Sequence, residues 1–461
     1  MKQQIMLISL SLILTGLSFQ LSYAQKLERK VTENLLSKVE TSEMVNSSFT
    51  FSKNMRRIAF RIKNGNKQMA VVDGKSGTGY DFVSFPVFSP DNIQFAYSAR
   101  NGSEWFIVVD GRETPVQASE IQGLQFSPDS KTLTYVLKNE NKFCLIANNN
   151  RGKLYDNIDE NSITFSHDSR KIAYTAGLGK KQLNILDGIE GEQFDQVGFP
   201  IINSDGSHLS YWAVISNRTY VISDKLKSRS YDTVNSIVLS DNGNHCAYSA
   251  NREGKCVVVL DNVESETHDL SHTLTFSADG SRFAYAMEKS IGHKEGFKQF
   301  IVVDGKRIGP YETVVEGAIK FSSDNKDFVF KAEIHDEFFI VKNDHEGKRY
   351  SDVIQYTTSF SPDNTRMAYV AENNLRRMVN ADNTEGIPFN DVYSISFSPD
   401  SKRFAYSARQ DNKELVVVDG SRGEKYDAIL GQGEIVFDSP NSFHYISMKG
   451  NNIFLVEETF E

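Results

Sequence analysis

Three groupings of side chains have the types and spacing for chemistry. His268 and His272 stand four apart with Asp269 between them, a spacing that on a helix would aim two imidazoles at one metal ion. The flanking residues read as strand and loop instead, and no Glu fills the base position of a helical zinc motif. Gly74-Lys75-Ser76-Gly77 has the end of a phosphate-binding loop. The earlier glycine of that motif would fall at Met69, so the segment reads as a turn. Aspartates recur in Ser-Pro-Asp phrases and in Tyr-Asp pairs, and such regular recurrence points to turn capping rather than acid–base or calcium chemistry. No Gly-x-Ser-x-Gly elbow for a serine nucleophile is present. No motif calls for a cofactor or a metal.

The elements behind these residues repeat. Eight clear copies of one phrase run from Phe51-Ser52-Lys53-Asn54 through Phe88-Ser89-Pro90-Asp91 to Phe397-Ser398-Pro399-Asp400. Three degraded copies follow Ile202, Leu239 and Phe437, giving eleven at steps of 37 to 45 residues. Each unit reads as four short strands. Strand A ends at the Phe, and Ser-Pro-Asp forms the A–B turn. Strand B alternates, as in Phe95-Ala96-Tyr97; strand C is a β-branched run closed by Asp-Gly, as in Val108-Val109-Asp110-Gly111; strand D carries the Tyr-Asp pair, as in Tyr155-Asp156. Four strands per roughly 40 residues, repeated many times without helical periodicity, predict an all-β chain: a β-propeller of about eleven four-stranded blades. Eleven exceeds the usual blade count of one ring, so two tandem rings, for instance five plus six, are the preferred arrangement and one large ring the alternative. The weak repeats place the boundary between 51–238 and 239–461. The last unit lacks a strand D, and a spare segment near residues 38–45, within an N-terminal stretch 25–50, is expected to supply it.

The phrase Phe-Ser-Pro-Asp followed by Phe-Ala-Tyr and a Val-rich strand resembles the WD40-like propeller repeat of the bacterial periplasmic TolB-type family. That resemblance implies a protein-binding propeller of the cell envelope. Residues 1–24 agree with export: Lys2, an apolar run from Ile5 to Leu17 and Ser22-Tyr23-Ala24 have the order of a cleavable secretory signal ending at Ala24. The expected location is therefore periplasmic or secreted. A formal charge of −9, without a basic block, disfavours nucleic acid as a partner. No second long apolar stretch is present to span a membrane. Cys246 and Cys256 flank a hairpin loop, leaving open a cross-strand disulfide or two buried thiols.

With turns stereotyped, specificity is expected in the variable B–C loops, the longest at 288–299. Arg100, Trp105, Lys180, His293 and Arg409 are the candidate binding residues there. The expected function is a non-catalytic scaffold for a protein, peptide or glycan of the envelope. The alternative, a propeller polysaccharide lyase or hydrolase, requires convergent acid, base or metal groups, for which His268, His272 and His293 are the test.

Overall fold

The computed structural model describes residues 28–40, 43–292, 296–317 and 319–460. The leader expected at 1–24 and His293 lie outside the described residues. Eleven antiparallel sheets follow one another, of four strands each or five where strand A is split. In blade 1, strand A is Met44–Phe51, B Ile58–Asn64, C Lys67–Val72 and D Lys75–Ser76. Strands A of neighbouring blades touch, as Thr233–Leu239 touches Leu270–Phe276 and Asp391–Phe397 touches Val436–Ser439. Strand A is therefore innermost and walls a central channel, while strand D faces outward. Both faces of a blade are covered by neighbours, which is why strand C buries consecutive residues such as Val257, Val258 and Val259.

The recurring polar residues build the turns. In the A–B turn the serine hydroxyl donates to the aspartate two residues on, as Ser127 to Asp129 at 2.7 Å and Ser398 to Asp400 at 2.7 Å. The following residue takes a positive φ, 67° at Asn92 and 66° at Ser130. Neighbouring turns are then joined around the axis: Asp91 N donates to Ser130 Oγ at 2.8 Å and Asp363 N to Ser401 Oγ at 3.1 Å. The C–D turn is a hairpin with positive φ at both central residues, 49° at Asp73 and 77° at Gly74. Its aspartate accepts the first amide of strand B, as Asp110 does from Phe95 at 3.0 Å. An arginine at the start of strand B reaches across to the next blade. Arg366 lies 5.5 Å from the ring centres of both Phe397 and Phe404 and donates to the carbonyls of Ser401 and Lys402.

Strand-D tyrosines seal the blade interfaces. Tyr155, Tyr231 and Tyr426 meet Tyr174, Tyr248 and Tyr445 of the next blade edge-to-face, with centroids 6.3, 5.8 and 5.9 Å apart. Such pairs add roughly 0.5–1.5 kcal/mol beyond their burial.

The blades form one ring, which corrects the expectation of two tandem rings. Blade 11 packs on blade 1 through Ile446, Ile453 and Leu455 against Ile58, Phe60 and Val71, and His444 Nε2 donates to the carbonyl of Asn54 at 2.6 Å. The expected boundary at 238/239 falls inside strand A of blade 6, Thr233–Leu239. The weak repeats there keep the turn and a link to the next turn through other groups: Asn203 replaces the serine and donates to Asp205 at 2.8 Å, and Ser204 N donates to the carbonyl of Asp241 at 3.2 Å. The closing strand is Arg29–Lys38 rather than residues 38–45. It pairs with Asn452–Phe460 from Arg29↔Phe460 to Lys38↔Asn452. Arg29 Nε donates to Glu458 at 2.7 Å, and Glu458 is fully buried. Cys246 and Cys256 are free. The register sets Asn251 opposite Cys256, and the two thiols face Ser210 and Ser271 of different neighbouring blades.

Candidate binding site

The B–C rim is held by structural bonds. Each strand-D aspartate accepts from a basic side chain of its own blade and an amide of the next B–C loop: Asp156 takes Lys142 at 2.6 Å and Gly179 N at 2.7 Å, and Asp195 takes Lys181 at 2.6 Å and Ser216 N at 2.9 Å. Those bonds hold both carboxyls below their usual range. Of the candidate residues, Arg100 donates to Gly102 O at 2.7 Å and lies over the Trp105 ring. Trp105 is 7% exposed and donates to Ser119 O at 3.1 Å; it belongs to strand C and the core between blades 2 and 3. Lys180 is exposed at the tip of the blade 4 loop. Arg409 is exposed and pairs with Asp391 at 3.2 Å. The described candidates sit on blades 2, 4 and 10 and are not brought together.

His268 and His272 do not form a metal pair, and no metal-ligating cluster occurs among the described residues. His268 fills the strand-D aromatic position, buried and stacked on Tyr285. His272 is on strand A and meets Thr273 Oγ1 through Nδ1 at 2.9 Å. Burial lowers the pKa of both.

The channel wall carries what the sequence reading passed over. In several blades strand A breaks midway and turns a side chain toward the axis. Phe85 and Phe199 each precede a buried proline, Pro86 and Pro200, which cannot donate to the ladder and so interrupts the strand. Phe85 is 45% exposed, Phe199 51% and Tyr356 79%. The guanidinium of Arg61 lies 3.7 Å from the Phe85 ring centre and donates to Val83 O at 2.8 Å; burial pulls its pKa down. A Cβ at Gly198 would fall 2.3 Å from Trp212 Nε1, so only glycine lets that indole lie against the backbone there. Tyr356 has φ 63°, a left-handed conformation uncommon for a bulky residue. Carboxylates occupy the corresponding strand-A breaks of other blades: Asp159 and Glu160 in blade 4, Glu316 in blade 8 and Glu434 in blade 11. Burial raises the pKa of Glu160 and Glu434. Exposed aromatic faces can stack on planar or apolar groups, and the Phe85 ring already carries the Arg61 guanidinium.

No family model and no curated protein matches the chain. Among solved structures it is similar to a eukaryotic initiation factor, at 14% identity over 80% of this chain and 96% of that one, TM-score 0.41. It is also similar to the Dos1 propeller, at 10% identity over 64% and 91%, TM-score 0.31. A third is the β-propeller domain of the Trilobed protease from Pyrococcus furiosus, at 10% identity over 58% and 96%, TM-score 0.29. At such identities the likeness concerns the fold alone.

Proposed function

We propose that the protein is an exported, non-catalytic ring that holds a protein or peptide of the cell envelope against its channel wall. The observation that carries this reading is the exposure of Phe85, Phe199 and Tyr356 on the innermost strands of blades 2, 5 and 9, spread around the ring rather than gathered in one pocket. Burying one such side chain is worth roughly 1.5–3 kcal/mol, and the repeat puts most of its other aromatics between blades, with Phe297 an exposed exception. An aromatic facing the axis can gain that energy from an apolar group that enters the channel. The leader-like residues 1–24 and the resemblance of the repeat to TolB-type propellers favour the envelope as the setting. Exposed rings suit a peptide carrying apolar side chains that can pack on them.

The test compares the mature protein with a Phe85→Ser, Phe199→Ser, Tyr356→Ser variant, both immobilised and offered the same envelope extract. Bound species are identified by mass spectrometry, and circular dichroism checks that the variant keeps its sheet. Retention by the wild type and loss by the variant is the expected result. The same species on both, none on either, or chemical turnover of a retained species overturns the reading.

A further inference from the structure

A crevice of about 160 Å³ opens on the channel wall between blades 8 and 9. Ile340, Val353 and Ile354 form its apolar sides, with the first two buried. Two lysines border it. Lys331 is 10% exposed and already answered, since its ammonium meets Asp352 at 2.6 Å. Lys320 is not: its ammonium donates to the carbonyl of Thr358 at 3.1 Å, and among the described residues no carboxylate lies within ion-pair distance. The side chain can be reached from the channel, yet enough protein surrounds the ammonium that desolvation lowers its pKa. Tyr356 stands at the mouth in its left-handed backbone, and a Cβ at Gly317 would come within 3.0 Å of its hydroxyl. Gln355 ties the two blades there by donating to Glu316 O at 2.7 Å.

An ammonium without a counter-charge favours an anion, and the adjacent apolar walls favour an aliphatic group. We infer that this crevice takes the free C-terminus of a peptide ending in an aliphatic residue. The terminal carboxylate meets Lys320, the last side chain lies against Ile340, Val353 and Ile354, and the preceding residue packs on Tyr356. This rests on the proposed peptide-binding role and adds which end of the peptide is read. A uronate-bearing glycan offers the same carboxylate, but its hydroxyls would face these apolar walls without partners.

The test titrates the mature protein with a fluorescein-labelled hexapeptide ending in valine, as the free acid and as the amide, by anisotropy. Oligogalacturonate serves as competitor. The acid is expected to bind at least about tenfold more tightly than the amide, as a charge-assisted bond allows. Lys320→Gln should abolish that preference while leaving the circular dichroism unchanged, and Lys320→Arg should retain part of it. Equal binding of acid and amide, binding of neither, a preference that survives Lys320→Gln, or Lys320-dependent binding of oligogalacturonate alone overturns the inference. Such a failure is distinct from failure of the channel reading, because retention of extract species by Phe85, Phe199 and Tyr356 is measured separately.

Discussion

Replacing His268 with phenylalanine should remove an acid sensitivity from one blade interface. In the other blades this position holds residues such as Tyr155, Phe194, Tyr231 and Phe389, all buried against the next blade. His268 Nδ1 donates to Glu266 O at 3.0 Å, which leaves Nε2 buried without a partner. Burial, aided by the charge of Lys289, moves the imidazole pKa from 6.5 to about 4. Above pH 6.5 the ring is neutral in both the folded and unfolded chain. As the pH falls through 6.5 the unfolded chain takes up a proton that the folded chain refuses, so stability declines until about pH 4. At pH 5 the loss is about 2 kcal/mol, at about 1.36 kcal/mol per pH unit. His268→Phe keeps the ring shape and lacks the proton site. Guanidinium unfolding of both proteins at pH 7.5 and pH 5.0 is the assay, with carboxylate titrations common to both cancelling in the difference. The variant should gain about 2 kcal/mol on the wild type between the two pH values. A gap that does not widen would refute a neutral, buried imidazole here.

Two further outcomes follow from the ring's construction. Arg29→Met leaves the buried Glu458 without its cation and should destabilise the seam by about 3–5 kcal/mol, seen as faster hydrogen exchange of the Asn452–Phe460 amides; adding Glu458→Gln should restore part of the protection. Arg366→Ala removes the stacking over Phe397 and Phe404 and the bonds to Ser401 O and Lys402 O, at a cost of about 2–3 kcal/mol in denaturant unfolding, and Arg366→Lys should recover less than half.

The blades were legible because the repeat phrase spells out its own turns: serine and aspartate for A–B, Asp-Gly for C–D. The number of rings was not, since a closing strand completes one ring or two with equal economy, and Asn203 and Ser240 keep the turn bonds where the phrase looks eroded. The closing strand was misplaced because only Val31, Leu35 and Leu36 mark Arg29–Lys38 as a strand with an apolar face. Trp105 reads as loop from its polar neighbours, yet it begins the inward run of strand C. The channel aromatics were hidden among ordinary strand-A apolar residues. The proline directly after Phe85 and Phe199 was the available signal, because proline in mid-strand forces a break. Lys320 could not be found from sequence, since its isolation depends on what blade 9 places beside it.

The strand that completes the last blade comes from the opposite end of the described chain: Arg29 bonds Glu458 across 429 positions. During synthesis the early blades can stack as they emerge, but Arg29–Lys38 has no sheet to join until residues 452–460 exist. Contacts of such long sequence separation form late, so an open-ended intermediate with one bare edge should persist. Two chains caught at that stage can each lend the first strand to the other, giving a strand-exchanged dimer whose yield rises with concentration during refolding.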